Sequence, residues 1–336
     1  MNSTSTPGVL DAARSKRLRL VVVTPVYNEE DNLARYSQAV QSILFSAPDM
    51  DARVVFVDDG SRDGSWRKLV ELSEASPRFS AIRLSRNYGA HLALAAGFDS
   101  IGDDADAVAV LACDLQDPAE TLLEFVAAWR RGADIVWGQR RSRHDEGWRR
   151  GASYLLENLL RRYAMPRHSR FTTGSFLLMD HKVLQCVRQF REQNRVTFAL
   201  VAWTGFDQAV VPYDRRQRIA GRSGWSFGQM INTAYDVFIG FSPLPAKAIT
   251  GLGLGMFAMS VLVLLYLLGA WAFGRVQPGW TGVMATMTVC FGMLFMMLGV
   301  TAEYLHRIFV EAKNRPLYFV AVTTGQTSGL PEAPGG

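Results

Sequence analysis

The chain has 336 residues and is 49% hydrophobic, which is enough for one large domain with a sizeable core and an appendage. Its net charge of +5 does not by itself separate a nucleic-acid partner from a membrane or phosphate partner. Three cysteines, an odd number without a CxxC pair, argue against a disulfide-stabilised secreted protein and favour a reducing cytosolic compartment.

Residues 1–17 are rich in Ser and Thr and lack an apolar core, so they predict a disordered lead-in without a signal peptide. From residue 18 onward, short β-branched runs alternate with helical patterns. The predicted strands are 19–24, 53–57, 81–84, 108–112 and 134–137, and the predicted helices are 33–45, 65–75, 90–99 and 119–131. Residues 208–213 complete the globular part of the chain. This alternation predicts an α/β domain over 18–226 with a doubly wound, mostly parallel sheet.

The stretch VAVLACDLQDPAE, from Val108 to Glu120, carries the strongest chemical signal in this domain. An apolar run typical of a buried strand stops abruptly at Asp114, Gln116 and Asp117. Ligands of parallel α/β sheets bind beyond the carboxyl ends of the strands, and oxygen ligands there suit a hard divalent cation that holds phosphates. The alternative is that Asp117 only caps the following helix.

Basic residues are concentrated rather than spread along the chain. The window from Arg140 to Arg170 holds nine arginines against three acidic residues, an excess of six that exceeds the net charge of the whole chain. A second group of arginines follows at 215–222. Such a patch fits a solvated helical face or a surface that binds membrane or phosphate. Because the patch contains few aromatic residues for stacking, nucleic-acid binding is disfavoured.

Two uncharged runs of 27 residues, 248–274 and 276–302, predict a pair of transmembrane helices within 246–302, since a bilayer core needs about 20 residues. The distribution of Lys and Arg around them predicts that both termini are cytoplasmic. The alternative is two buried helices of a soluble core. Residues 227–245 predict an interfacial amphipathic helix, or a buried soluble one, and 303–336 predict a cytoplasmic helix and tail. Glycines in the two runs permit close helix packing and favour a homo-oligomer.

Five motifs occur in one order along the chain. They are TPVYNEEDN (24–32), VDDGSRDGS (57–65), SRNYGAHLALAAG (85–97), CDLQDPAE (113–120) and EYLHRIFVEAKNRPLYFV (303–320). With the apolar hairpin they resemble family 2 glycosyltransferases of the polyprenyl-phosphate type, which include dolichyl-phosphate mannose synthase and bactoprenol glucosyltransferase. The likeness spans roughly residues 18–320.

The resemblance implies a GT-A fold, a UDP- or GDP-hexose donor, Mg²⁺ or Mn²⁺, and a polyprenyl phosphate acceptor. Donor-binding positions would be Pro25, Tyr27, Glu29, Asp58, Asp59, Arg86, Asn87 and Gly89. The catalytic set would be Asp114, Gln116 and Asp117, of which Asp114 and Gln116 would bind the metal. Acceptor-phosphate positions would be Arg140, Arg149, Ser153, Ser175, Arg218 and Ser223.

Three positions depart from the family pattern. Ala112 stands where the metal motif usually begins with Asp, Ser175 stands where many relatives carry Asp, and Gly224 stands where they often carry Lys. The absence of a carboxylate base at Ser175 need not abolish sugar transfer. The acceptor would be a phosphate monoester, which has a second pKa near 6 and is already a nucleophile at neutral pH.

The function expected from the resemblance is inverting transfer of one hexose, preferably glucose from UDP-glucose, to a lipid such as undecaprenyl phosphate at the cytoplasmic membrane face. The product would serve cell-surface glycan or lipopolysaccharide biosynthesis, with a flippase as a partner. Two alternatives remain: a degenerate nucleotide-sugar-binding membrane scaffold, and a processive polysaccharide synthase. The chain lacks the Gln-x-x-Arg-Trp motif of the synthases.

Overall fold

The computed structural model describes residues 17–141, 175–193, 195–216, 244–273 and 279–325. These residues form two compact units. We call them the sheet unit, which comprises the described residues up to 216 together with 316–325, and the helical unit, which comprises those from 244 to 315.

The sheet unit is an α/β fold with a mostly parallel sheet, as the sequence predicts. Its described strands are β1 Leu18–Val26, β2 Met50–Asp58, β3 Phe79–Leu84, β4 Ala107–Val110, β5 Ile135–Arg140, β6 Leu177–Asp180, β7 Gln208–Tyr213 and β8 Val320–Thr324. Their order in the sheet is β7-β5-β6-β4-β1-β2-β3-β8. The neighbours β1, β2, β3 and β4 run parallel, and β5 pairs in parallel with β7, whereas β6 and β8 run antiparallel to their neighbours.

Helices cover both faces of this sheet. They are α1 Glu30–Val40, α2 Ser65–Ala75, α3 Ala90–Asp99, α4 Thr121–Arg130, α5 His181–Val187 and α6 Thr197–Trp203. The helix predicted over 33–45 begins three residues earlier and is completed by a π-helical turn, Gln41–Phe45. The predicted bounds of α2 and α3 agree with the structure.

Alternation along β1 divides the core between the two faces. Leu20 and Val22 belong to one large buried cluster with Leu33 of α1, while Val23 points toward α3. A Cβ added to Gly97 of α3 would lie 2.4 Å from Val23 Cγ1, so this helix lies unusually close to the sheet. Close packing on both faces fixes the strand ends from which the loops of the candidate site emerge.

The helical unit consists of α7 Leu244–Ala272 and α8 Trp280–Ala312, which contact each other. In the part of the chain that the structure describes, one helical stretch, Val289–Ala312, is long and apolar enough to cross a membrane. A shorter apolar stretch covers Ile249–Val263. The two-span hairpin therefore stays a prediction, and most of the predicted interfacial helix, 227–243, lies outside the described residues.

The chain returns to the sheet after α8, which the sequence did not predict. Strand β8 pairs antiparallel with β3, and Phe319 O accepts a hydrogen bond from Ser85 N at 2.9 Å. The hydroxyl of Tyr318 donates to Asp99 Oδ2 at 2.8 Å. Residues 303–336 were predicted as a helix and tail, but α8 runs uninterrupted through residue 303 and a strand follows it.

Candidate active site

The candidate site lies at the sheet edge where β1, β2, β3 and β4 end. Asp58 pairs with Val26 in β1, and on the other side of β1 Val110 pairs with Val23. The chain that continues from Val110 to Asp114 therefore reaches the same edge as Asp58. One strand separates the two acidic loops, a spacing of about 10 Å.

The loops after β1 and β2 are joined by hydrogen bonds. Asn28 N donates to Ser61 Oγ and Arg62 N donates to Asn28 Oδ1, each at 2.9 Å. Glu29 N donates to Ser65 Oγ at 3.0 Å. Asn28 has a φ of 54°, a left-handed conformation that Asn tolerates better than most residues. This joined pair of loops leaves Tyr27 44% exposed beside the edge.

Asp58 and Asp59, both predicted to contact the donor, are buried and make hydrogen bonds within the protein. Asp59 accepts from the backbone N–H groups of Tyr88 at 2.7 Å and Gly89 at 2.8 Å, one on each carboxylate oxygen. Asp58 Oδ1 accepts from Ser61 N at 3.1 Å, and Arg83 Nε lies 3.2 Å from Oδ2. Burial raises the pKa of both carboxyl groups. In this conformation the pair shapes the neighbouring loops.

The loop after β3 forms the next wall of the site. A Cβ on Gly60, whose φ is +71°, would lie 2.7 Å from the carbonyl carbon of Arg86, so two loop backbones approach closely here. The guanidinium of Arg86 lies over the ring of Tyr88, 4.1 Å from its centroid. Asn87 is exposed, and Gly89 has a φ of +91° immediately before α3. The predicted donor positions of this loop are thus adjacent to the β1–α1 and β2–α2 loops.

The loop after β4 is a tight turn around the predicted metal ligands. Gln116 N donates to Asp114 Oδ1 at 3.2 Å, and Leu115 N donates to Ala112 O at 3.4 Å. Leu115 has a φ of 50°, which costs a non-glycine residue about 1–3 kcal/mol and is typical of functional sites. The turn places Asp114 and Gln116 at the sheet edge, both half-buried.

Residues 213–216, which we call the clasp, hold this loop from the end of β7. Tyr213 donates from its hydroxyl to Asp117 Oδ1, and Arg215 donates from Nη2 to Gln116 Oε1. Arg216 N donates to Gln116 O at 2.8 Å, and its guanidinium lies 3.2 Å from Glu120 Oε1. Sequence reasoning noted the arginines of this stretch but missed Tyr213 and every one of these contacts.

Asp117 is the most enclosed acid of the loop. Burial raises its pKa, while the hydrogen bond from Tyr213 and the charges of Arg140 and Arg215 oppose that rise. Arg140 is the last residue of β5 and pairs with Tyr213 in the sheet. The structure thus brings one predicted acceptor position, Arg140, beside the acidic loop.

Of the other five predicted acceptor positions, the structure describes one, Ser175. Ser175 is exposed, just before β6. Arg149, Ser153, Arg218 and Ser223 lie outside the described residues.

The donor atoms present fit a divalent cation that depends on its substrate for further ligands. Within the described ranges, no three His, Cys, Asp or Glu residues form a metal-binding group. Asp114 and Gln116 supply two oxygen donors, and Gln116 Oε1 already accepts from the cationic guanidinium of Arg215. Because Mg²⁺ is commonly held by one or two carboxylates plus substrate phosphates, this pair is sufficient for the protein's share.

Comparison with known proteins gives a consistent set of relatives. The family model for glycosyl transferase family 2 matches residues 21–188. An uncharacterized glycosyltransferase of Synechocystis sp. is 34% identical over 309 residues, covering 90% of this chain and 95% of the relative. The bactoprenol glucosyl transferase of Shigella phage SfII is 29% identical over 310 residues, covering 90% of this chain and 97% of the relative.

Among solved structures, the mannosyltransferase PcManGT from Pyrobaculum calidifontis, in complex with GDP-Man and Mn²⁺, matches with a TM-score of 0.44. Its sequence identity is 15%, and the match covers 85% of this chain and 88% of that chain. A TM-score below 0.5 leaves the sequence relatives as the basis for assigning a family.

Proposed function

Because this chain belongs to glycosyltransferase family 2, we propose that it transfers one hexose from a nucleotide sugar to a polyprenyl phosphate, with inversion at the anomeric carbon. The preferred pair is UDP-glucose and undecaprenyl phosphate, with GDP-hexose as the other donor class. Bactoprenol glucosyl transferases, related at 29% identity over nearly their whole length, support this acceptor.

The observation that carries the proposal is the sheet edge at which the described part of the sheet unit stops before the helical unit and begins again after it. Strand β7 runs parallel to β5 and ends at the clasp, beside the acidic loop. Phe319, just before β8, bonds to Ser85 at the end of β3, which is the same edge. The apolar stretch Val289–Ala312 lies between these two points in the sequence. The last described residues before the helical unit and the residues that follow it thus lie at the site edge, which supports an acceptor whose phosphate lies at a membrane surface.

On the donor side, the joined loops after β1 and β2 would receive the base and ribose against Pro25, Tyr27 and Glu29. The exposed ring of Tyr27 is available for stacking. Asp58 and Asp59 would act mainly by fixing the loops, because Asp58 Oδ1 and both oxygens of Asp59 accept backbone N–H bonds, and Asp58 Oδ2 lies 3.2 Å from Arg83 Nε. Arg86, Asn87 and Gly89 would complete that wall.

Asp114 and Gln116 would hold Mg²⁺ or Mn²⁺, which when bound supplies Lewis-acid stabilisation of charge on the leaving diphosphate. Asp117 would contact the substrate from the inner side of the loop. Arg140 would bind the acceptor phosphate in two places with its planar fork, and the predicted partners Arg149, Ser153, Ser175, Arg218 and Ser223 would share that phosphate. The acceptor oxygen would attack the anomeric carbon opposite the diphosphate, and no protein base is required because the phosphate is already deprotonated.

The proposed architecture is a GT-A domain over 18–226, an interfacial helix over 227–245 and two membrane spans within 246–302, with both termini cytoplasmic. Two uncharged 27-residue runs and the contact between α7 and α8 support the spans. Glycines at 251, 253, 255, 292 and 299 support homo-oligomerisation through close helix packing. A flippase would be the partner that receives the product.

The direct test is a donor panel. Full-length protein in membranes would be incubated with labelled UDP- and GDP-hexoses, undecaprenyl phosphate and Mg²⁺, and butanol-extractable label would be counted. We expect label with one donor, UDP-glucose first, and a loss of about 100-fold or more in Asp114→Asn. Asp104→Asn is a matched control, because Asp104 pairs with Arg53 away from the acidic loop. Absence of lipid-linked label with every donor would contradict the proposal.

Ala112 favours one competing function, a nucleotide-sugar-binding scaffold, because the acidic loop has one carboxylate fewer than the family pattern. The same preparation distinguishes the two. A scaffold would bind UDP-sugar, measured by calorimetry, yet give no transfer in wild type or in either variant.

A further inference from the structure

The hydrogen bond between Arg215 and Gln116 joins a permanent cation to an oxygen that we assign to a metal ion. A guanidinium and a divalent cation on one oxygen repel each other, so the two compete. We propose that Arg215 blocks the cation site while the donor is absent and moves to the donor diphosphate when nucleotide sugar and cation bind. This inference rests on the proposed function and assigns Arg215 as a diphosphate-binding residue.

The contacts on either side of Arg215 allow such a movement. Tyr213 is buried and bonded to Asp117, and the backbone N–H of Arg216 donates to Gln116 O at 2.8 Å. The main chain of the clasp is therefore fixed to the acidic loop before and after Arg215. Arg215 itself is exposed. Its long side chain can change partner while its backbone stays at the site edge.

Charge favours the exchange in the presence of donor. Without donor, the positive charge of Arg215 stabilises the carboxylate of Asp117. A diphosphate offers the guanidinium a stronger, two-point partner than a neutral amide oxygen. Release of Gln116 then lets this oxygen serve the cation. Cation and nucleotide should consequently bind with positive cooperativity, and by linkage each should strengthen the other by the same factor.

The test measures binding without turnover. Mn²⁺ binding to the full-length protein in detergent would be followed by the electron paramagnetic resonance of free Mn²⁺, with and without UDP, and UDP binding would be followed by calorimetry. In Arg215→Gln we expect Mn²⁺ alone to bind several-fold more tightly, about 3- to 10-fold. UDP with Mn²⁺ should bind about 10-fold more weakly. The opposite signs are the signature of a residue that changes partner.

Two further variants sharpen the result. Arg216→Gln is a matched control, because it removes one positive charge from the next residue. The guanidinium that it removes lies beside Glu120 and not beside Gln116. It should change neither constant by more than about twofold. Arg215→Lys keeps the charge but loses the planar fork, so Mn²⁺ alone should bind as in wild type and UDP with Mn²⁺ more weakly.

Two outcomes would overturn the inference in distinguishable ways. If Mn²⁺ and UDP strengthen each other's binding by the same factor in wild type and in Arg215→Gln, the proposed role of Arg215 is refuted. The proposed function would still stand. A wild-type protein that binds neither Mn²⁺ nor UDP would refute the proposed function and this inference together.

Discussion

Replacing His91 with glutamine should make the stability of the protein less sensitive to acid. His91 is the second residue of α3, and its Nδ1 is buried without a hydrogen-bond partner. The ring packs edge-on against Phe198, with centroids 5.7 Å apart. Burial, and then the charge of Arg195, lower the pKa of His91 from 6.5 to about 4. The folded protein therefore holds this imidazole neutral under mildly acidic conditions.

The size and sign of the effect follow from these two pKa values. Above pH 6.5 the imidazole is neutral in both folded and unfolded chains and contributes no pH dependence. Between pH 6.5 and pH 4 the unfolded chain binds a proton that the folded chain does not, so the free energy of unfolding falls as pH falls. The loss between pH 7 and pH 5 is about 2 kcal/mol, and the total below pH 4 is about 3 kcal/mol.

Thermal unfolding provides the assay. The Tm of full-length wild type and of His91→Gln would be measured in detergent at pH 7 and pH 5 by tryptophan fluorescence, since Trp129 and Trp137 are buried in the sheet unit. A difference of 2 kcal/mol corresponds to about 4–8 °C for a domain of this size. Wild type should lose that much more than the variant, because the carboxylates common to both cancel. Equal losses would refute a buried neutral imidazole at this position.

Asp59→Asn should weaken UDP binding about 10-fold in calorimetry, because an amide keeps one acceptor oxygen for the two backbone N–H groups of residues 88 and 89. An unchanged Kd would show that this loop does not depend on the carboxylate. Gly97→Ala should lower the free energy of unfolding by about 1–3 kcal/mol, because the new Cβ would lie 2.4 Å from Val23 Cγ1. Gly282→Ala in α8, where a Cβ meets nothing within 4 Å, is its control, and an equal Tm change in the two variants would contradict this packing argument.

The alternation of strands and helices in the sheet unit could be read from local patterns. Helices α2 and α3 have the predicted bounds because each is short and begins directly after a loop glycine, Gly64 or Gly89. The family resemblance correctly identified a glycosyltransferase, because five motifs in one order are specific to a family even where each alone is not. Local periodicity therefore predicts the helices and strands, and the order of the motifs predicts the family.

Contacts between distant segments could not be read in this way. Strand β8 finds β3 across more than 200 residues, and Tyr213 reaches Asp117 across 96. Hydrophobic pattern tells which face of a segment is buried but does not identify its partner. For the same reason the sequence did not show that Asp58 Oδ1 accepts from Ser61 N, or that both oxygens of Asp59 accept from the backbone of residues 88 and 89.

Ala112 shows how such contacts change the meaning of a sequence departure. The missing carboxylate is not needed to shape the loop, since the carbonyl of Ala112 accepts from Leu115 N and Gln116 N bonds to Asp114. Its absence instead alters the charge balance, because Arg215 faces a loop with one acid fewer. On the proposed mechanism, a cation entering that loop alone would meet one carboxylate fewer and the competing charge of Arg215, whereas a cation bound with a diphosphate would gain phosphate ligands and would no longer face Arg215. The departure from the family pattern should therefore make metal binding more dependent on the donor, without abolishing it.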